Sequence, residues 1–284
     1  MQGTKIRWAE HTWNAFTGCS KISPGCDNCY AETIAEKFKG TAFPNGFLPT
    51  YKPQKLSQPR TWKEPARIFV NSMSDVHHPD FTRDQVDSVY DVMLDVPRHD
   101  YLLLTKRPNL MAAYLLGPDG WLARRNLDAV PDQIWIGTTI ELDQYTWRAD
   151  HLRRIPALVR FLSCEPLLGP LPSLDLDGLG WVITGGESGP GYRPLDHDWC
   201  RDLRDRCADA GVAYYHKQDA AARTEMRPEL DGRLHEEYPL PHPADRPDPR
   251  AEAFGIWTGR HHTDDAPPET GQLPLGGTLA EATS

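Results

Sequence analysis

Short apolar runs, rich in β-branched and aromatic residues, alternate with segments of helical periodicity as far as residue 217. Six of these runs predict strands, at residues 67–72, 101–105, 134–138, 159–163, 181–184 and 213–217. Runs that are apolar almost throughout are typical of parallel strands covered on both faces. Because strands that alternate with helices form βα units, we predict an α/β fold with a parallel sheet, either a partial or a full βα barrel.

Helical spacing is visible in several of the intervening segments. Thr82 is a predicted N-cap for a helix that runs to about Asp95. Residues 145–154 and 198–210 predict two further helices, and residues 29–38 predict a helix near the N-terminus. A short additional strand is predicted at residues 5–8.

Three cysteines lie close together near the N-terminus. Six residues separate Cys19 from Cys26, and two separate Cys26 from Cys29. Three thiolates can hold three corners of a metal or iron–sulfur centre and leave a fourth position open for chemistry. A strand at residues 5–8 would place this loop after the first strand, and functional residues of parallel α/β folds gather at the carboxyl ends of strands.

The cysteine spacing allows three interpretations. A structural zinc would need a fourth protein ligand, for which His11, Cys164 and His77 are candidates. Redox use of the last two cysteines would leave the first one unexplained. The third interpretation is a [4Fe–4S] cluster with one iron free to bind S-adenosylmethionine. Spacing alone favours zinc and iron–sulfur about equally, and the predicted fold favours iron–sulfur.

Polar side chains follow directly after each predicted strand, which indicates a shared pocket at the carboxyl end of the sheet. Three of them are candidates for catalytic or substrate-side residues: Asp75, Glu165 and Lys217. The pair Lys106 and Arg107 could hold a carboxylate or a phosphate.

A glycine-rich loop follows the strand at residues 181–184. Its residues are Gly185, Gly186, Glu187 and Ser188. Glycines allow the backbone to approach a ligand closely, and the carboxylate could accept from a methionyl amine or a ribose hydroxyl. The loop lacks the phosphate-loop pattern, so ATP is not indicated.

The formal net charge of −9 argues against bulk nucleic-acid binding by charge and leaves room for a local basic groove. No apolar run approaches the roughly 20 residues that a membrane helix needs, and the N-terminus has no apolar signal core. We therefore expect a cytoplasmic protein without membrane contact. In a reducing compartment a tight cysteine group indicates metal binding or catalysis. The oligomeric state is not indicated.

The pattern of strands and helices ends near residue 238. Residues 239–284 contain eight prolines and carry a net charge of −4. We predict one α/β domain over residues 1–238 and a Pro-rich, acidic, mostly disordered tail over residues 239–284.

Six motifs in a fixed order resemble a phage-protein family that is marked by an N-terminal three-cysteine motif. They lie at residues 13–19, 23–32, 72–75, 104–108, 165–169 and 185–189. The family is widespread in phages and prophages, largely uncharacterised and similar to radical-SAM proteins. The resemblance covers about residues 5–218. Two departures are Asp219-Ala220, where Trp-Gly is usual, and Cys164, where alanine is common.

The resemblance implies a radical S-adenosylmethionine enzyme. Its [4Fe–4S] cluster would be held by Cys19, Cys26 and Cys29, and a donor such as flavodoxin or ferredoxin would reduce it. A 5′-deoxyadenosyl radical would then act on a nucleotide or modified DNA base, for instance to isomerise an amino-acid-modified thymidine. For a phage-encoded protein the location would be the bacterial host cell. The alternative is a zinc-stabilised nucleic-acid- or protein-binding module without catalysis.

Overall fold

Parallel strands connected by helices form the body of the protein, for which the computed structural model describes residue 4 and residues 6–246. In chain order the strands are β1 (His11–Trp13), β2 (Phe16–Thr17), β3 (Thr50–Tyr51), β4 (Arg67–Val70), β5 (Asp100–Thr105), β6 (Ile134–Thr139), β7 (Arg160–Cys164), β8 (Trp181–Thr184), β9 (Ala213–His216), β10 (Glu229–Leu230) and β11 (Arg233–Leu234). The α-helices are α1 (Tyr30–Lys37), α2 (Gln58–Thr61), α3 (Arg83–Asp95), α4 (Pro108–Leu116), α5 (Trp121–Arg124), α6 (Trp147–Arg153) and α7 (His197–Ala210).

Seven of the strands pair in parallel, in the spatial order β1-β4-β5-β6-β7-β8-β9. Within the described residues β1 and β9 are the two edges of this sheet and do not pair with each other. The structure is thus a partial βα barrel, which confirms the predicted fold class and all six predicted strands.

The curl of the sheet is visible from the position of Trp8. Its ring centroid lies 4.6 Å from that of Phe69 on β4 and 6.3 Å from that of Trp181 on β8. These strands are four steps apart, which is about 19 Å in a flat sheet with strands about 4.8 Å apart. A single indole can contact both only because the sheet curves around it.

Alternating residues of each strand feed two separate apolar cores. On β4, Ile68 and Val70 pack against the helices, whereas Phe69 points into the barrel. The interior needs a glycine on β6, because a Cβ at Gly137 would lie 2.4 Å from the ring of Phe161. Because glycine has no side chain, position 137 leaves the space that the phenyl ring of Phe161 fills.

Local capping explains where two of the predicted helices begin or end. Thr82 forms a capping box with Gln85 at the start of α3, and Gly211, with φ of 67°, ends α7. Both helices match the predictions. The first strand of the parallel sheet is β1, whereas a strand was predicted at residues 5–8. Residues 6–8, which the structure describes, form no strand, and Trp8 is buried inside the barrel.

Residues 239–246 pack against the amino-terminal end of the barrel. Arg67 donates to the carbonyl of Leu240 at 3.2 Å, and Arg246 pairs with the buried Asp100. The predicted domain boundary at residue 238 stays a prediction, since most of the tail lies outside the described residues. In the described part of the chain no helix has the length and apolar character needed to cross a membrane.

Candidate functional site

A cavity of about 570 Å³ lies at the carboxyl end of the parallel sheet. Inward-facing residues of five strands form its floor and walls: Thr12, Phe69, Leu104, Thr139 and Ser163. Every residue predicted for the site lines this cavity except Gly185. The shared pocket expected from the strand ends is therefore present, and its volume is in the ordinary range for small-molecule sites.

The cysteine loop begins at Gly18, a position that only glycine can occupy. Gly18 has φ of 84°, and a Cβ there would lie 2.2 Å from the carbonyl oxygen of Leu48. The Gly18 N–H donates to Met73 at 2.9 Å, and the Ser74 hydroxyl donates to the Gly18 carbonyl at 2.6 Å. These contacts fix the start of the loop against the segment that follows β4.

Two cations from the end of β5 lie against two of the cysteines. Nη1 of Arg107 is 3.6 Å from Sγ of Cys19, and Nζ of Lys106 is 3.7 Å from Sγ of Cys26. A Cβ at Gly25 would lie 2.7 Å from Nζ of Lys106, so the glycine leaves room for the ammonium group. Cys29 is the N-cap residue of α1. All three cysteines are free thiols of intermediate exposure.

The three thiols differ in acidity. Burial alone would raise the pKa of Cys26, but the charge of Lys106 and hydrogen bonds from Ile22 and Ser23 hold it below its usual value. Burial, reinforced by Asp75, raises the pKa of Cys19 despite the opposing Arg107. Cys26 is therefore the thiol that most readily becomes a thiolate, the form that binds metal.

Burial likewise raises the pKa of Cys29. Backbone N–H groups of Glu32 and Ala31, in the first turn of α1, oppose this effect and do not outweigh it. Cys29 is therefore less readily deprotonated than Cys26.

Asp75 fixes the position of Arg107, one of the two cations that lie against the cysteines. Its carboxylate accepts from the Thr105 hydroxyl at 2.6 Å, from Nη1 of Arg107 at 2.9 Å and from the backbone N–H of His77 at 3.0 Å. Asp75 thereby holds Arg107 against Cys19. The predicted catalytic role of Asp75 stays a prediction, and the contacts give it a positioning role.

Glu165 and Lys217 form an ion pair on the cavity wall. Nζ of Lys217 lies 3.0 Å from Oε2 of Glu165, and both side chains are 14% exposed. Oε1 of Glu165 is buried without a hydrogen-bond partner. Burial raises the pKa of Glu165, and Lys217 opposes this shift. An unpartnered buried oxygen in a cavity wall is a suitable contact for a ligand donor.

Glu187 is engaged by protein groups. Nη2 of Arg193 lies 2.6 Å from Oε1, while Oε2 accepts from Nδ2 of Asn28 at 2.8 Å. Arg193 also donates to the Pro24 carbonyl at 2.9 Å. Glu187 therefore ties the cysteine loop to the loop after β8. Its predicted cofactor-binding role stays a prediction, and a ligand amine would have to compete with Arg193.

The glycines of the same loop have packing roles. A Cβ at Gly186 would lie 2.1 Å from the backbone nitrogen of Ala220, whereas one at Gly185 would lie 3.2 Å from Cγ of Glu165. Gly186 also exchanges two hydrogen bonds with Gln218, each 2.9 Å long. Close backbone packing requires the second glycine, and Ser188 lies beyond it on the cavity lining.

Sequence reasoning missed several partners of the predicted residues. Arg193 and Asn28 were not singled out, and neither was the buried pair of Glu141 and Arg148, which are 2.8 Å apart. Glu141 follows β6 and carries the strand-end signal, with Oε1 3.8 Å from Nζ of Lys106. Arg193 carries no such signal, because it lies in an irregular segment.

The candidates for a fourth zinc ligand lie away from the cysteines. His11 stacks on Trp62, His77 pairs with the Tyr90 hydroxyl at 3.0 Å, and Cys164 is buried in β7. None of the three lines the cavity. Over residues 4 and 6–246, no group of three or more His, Cys, Asp or Glu side chains is placed to share one metal ion.

An iron–sulfur cluster places a different requirement on the three cysteines than a single ion does. Each thiolate of a [4Fe–4S] cluster binds a different iron, so the sulfurs need to face one cavity and not one point. Cys19, Cys26 and Cys29 do face one cavity. The adjacent Lys106 and Arg107 are suited to balance the negative charge of such a centre.

Fold and site together define a partial βα barrel with a three-cysteine loop over a cavity at the carboxyl end of its strands. The chain belongs to the family described as "Protein of unknown function (DUF5131)", whose family model matches residues 3–239. A search of curated proteins finds no match to the chain.

One solved structure similar to the chain is a spore photoproduct lyase complexed with dinucleoside spore photoproduct. The TM-score is 0.44 and the sequence identity is 13%. The similarity covers 72% of this chain and 62% of the lyase chain.

Proposed function

We propose that this protein is a radical S-adenosylmethionine enzyme that binds a [4Fe–4S] cluster through Cys19, Cys26 and Cys29. The observation that carries the proposal is the set of three half-buried thiols on one loop, facing one cavity, with Arg107 and Lys106 against two of the sulfurs. When bound, such a cluster would supply the electron that cleaves S-adenosylmethionine to methionine and a 5′-deoxyadenosyl radical, and this radical would take a hydrogen atom from a substrate.

The residues around the cysteines have defined tasks in this proposal. Lys106 and Arg107 stabilise the thiolates. Because Asp75 and Ser20 already engage Arg107, Lys106 is the more available of the two to a carboxylate that enters the cavity. Asp75 keeps Arg107 oriented. The contacts of Glu187 with Arg193 and Asn28 keep the cysteine loop closed against the strand ends. An external donor such as flavodoxin or ferredoxin supplies the electron.

The substrate in this proposal is a nucleotide or a modified DNA base in a phage pathway, within the bacterial cytoplasm. Phe69 and Leu104 offer apolar wall to a planar base. Oε1 of Glu165 and Nζ of Lys217 offer a carboxylate and an ammonium group side by side. The carboxylate complements the ammonium group of an amino acid attached to thymidine, and the ammonium group complements its carboxylate. Isomerisation of such a modified thymidine is the example reaction that we propose.

Anaerobic reconstitution with iron and sulfide tests the cluster. We expect the visible iron–sulfur absorption and about four iron atoms per chain, both lost in Cys26→Ala. Cys164→Ala is the matched control, because Cys164 is buried in β7 outside the cavity. A product with one zinc per chain and no iron would instead support the zinc-stabilised binding module.

A further inference from the structure

The segment between β1 and β4 (residues 14–66) has a charge opposite to that of the whole chain. It contains seven basic and four acidic residues, whereas the chain has a net charge of −9. Six of the nine lysines of the chain lie in this segment. Part of the segment borders the cavity, because the cysteine loop and α1 belong to it. Three of its basic residues, Lys21, Lys39 and Arg60, pair with carboxylates, and those that stay unpaired near the cavity favour an anionic partner.

An apolar stripe leads from the cavity along α1. Tyr30, Ile34 and Phe38 are spaced by four residues, so they lie on one face of the helix, and each is 38% to 45% exposed. Tyr30 and Ile34 line the cavity, while Phe38 lies beyond it. Eight residues of helix span about 12 Å. The exposed stripe therefore continues about one helical turn, or about 6 Å, beyond the residues that line the cavity.

Lysines surround the far end of the stripe. Nζ of Lys37 lies 5.5 Å from the centroid of the Phe38 ring, and Nζ of Lys52 lies 4.8 Å from that of Phe43. The two phenylalanines are neighbours, since the Phe43 N–H donates to the Phe38 carbonyl at 3.2 Å. Within the described part of the chain neither lysine has an acidic partner within ion-pair distance. Their positive charges are therefore available to a ligand.

We propose that this surface binds a single-stranded oligonucleotide, with one nucleotide in the cavity and its neighbours along α1. The inference rests on the nucleotide substrate of the proposed function and narrows that substrate to one nucleotide within a polynucleotide strand. Exposed aromatic side chains interleaved with lysines are the usual means of binding single strands. A span of about 12 Å corresponds to about three stacked bases at about 3.4 Å each. Lys37 and Lys52 do not line the cavity, so a strand that leaves the cavity along α1 is the kind of ligand that can contact both the cavity and these lysines.

An acidic protein is the competing occupant of this surface. It would account for the lysines but not for an apolar stripe that continues from Phe38 through Ile34 and Tyr30 into a cavity sized for a small group. An oligonucleotide accounts for both, because Phe38 outside the cavity and the cavity itself would take successive nucleotides of one strand.

Fluorescence anisotropy with a labelled thymidine single strand of about 20 nucleotides tests the proposal on the full-length, metal-free protein. Because cluster assembly is not involved, the result is independent of iron content. We expect Lys37→Glu and Lys52→Glu each to raise the Kd about five-fold or more, and each to reduce the salt-dependence slope by about 0.7. Phe38→Ala should raise the Kd about five-fold through lost stacking.

Arg154→Glu is the matched control, since it makes the same charge change in an exposed residue that precedes β7, at the opposite end of the sheet. It should leave the Kd within about two-fold. Equal effects of Arg154→Glu and Lys37→Glu would overturn the proposal, because they would mean that overall charge alone sets the affinity. It would also be overturned if a flavodoxin bound with the same lysine dependence while the oligonucleotide did not bind.

Discussion

The ammonium nitrogen of Lys106 lies 3.7 Å from the sulfur of Cys26, although the two residues are 80 positions apart in the chain. The contact joins the end of β5 to the cysteine loop that follows β2, and the missing side chain of Gly25 makes room for it. It makes Cys26 chemically different from the other two cysteines.

Replacing Lys106 with methionine should slow alkylation of Cys26 in the metal-free protein. The positive charge favours the thiolate, so its loss raises the pKa of Cys26 and lowers the thiolate fraction at any pH below that value. We expect the reaction with iodoacetamide near neutral pH to be on the order of ten-fold slower, with the pH–rate profile moved to higher pH. Peptide mass spectrometry gives the site-specific rates, and an unchanged profile would contradict the assignment. The control variant Lys217→Met removes a lysine that is paired with Glu165, and it should leave the pH–rate profile of Cys26 unchanged.

Arg193→Ala should destabilise the fold by about 1–3 kcal/mol at neutral pH, because it leaves the Glu187 carboxylate with too few donors. Arg193 and Asn28 hold the pKa of Glu187 below its usual value, against the effect of burial. The stabilisation is therefore complete above the unfolded-state pKa and is lost as the pH falls through the lower folded-state pKa. Urea unfolding at several pH values should show the difference between wild type and variant shrinking in acid. Arg154→Ala should show no such pH dependence.

Gly186→Ala should destabilise the protein by about 1–3 kcal/mol, whereas Gly185→Ala should cost clearly less. A Cβ at Gly186 meets the backbone of Ala220 at 2.1 Å, and a backbone cannot move aside cheaply. At Gly185 the nearest group is the Glu165 side chain at 3.2 Å, which can shift. Thermal unfolding of the two variants measures the contrast. Equal melting temperatures would contradict the packing role of Gly186.

Arg246→Ala should destabilise the protein by about 3 kcal/mol, because it removes a charge partner of the buried Asp100. Burial raises the pKa of Asp100, and Arg246 and Arg67 oppose this shift. Adding Asp100→Asn to the variant should recover part of the loss, since position 100 then holds no buried carboxylate without its charge partner. A double-mutant cycle in urea measures the coupling. A coupling near zero would mean that the pairing of Arg246 with Asp100 does not stabilise the barrel.

Sequence periodicity was sufficient to predict the parallel sheet, because strands such as β5 and β6 are apolar on both faces and are therefore recognisable as apolar runs in the sequence. It also located the strand-end residues that line the cavity. The strand at residues 5–8 was wrong, since a buried Trp in an irregular segment has the same local composition as a strand residue. Partners such as Asn28 and Glu187, which are 159 positions apart, could not be predicted, because only the folded chain brings them together.

The open edge between β1 and β9 has a consequence for how ligand preference can change. On the β1 side the cavity wall includes Thr4 and Ile6, and beyond β9 it includes Ala222, Arg223 and Thr224. These residues lie in irregular segments that carry none of the hydrogen bonds of the parallel sheet. Their length and composition can therefore vary without disturbing strand register. A larger or differently shaped substrate could be accommodated at this seam while the cysteine loop and the strand ends stay as they are.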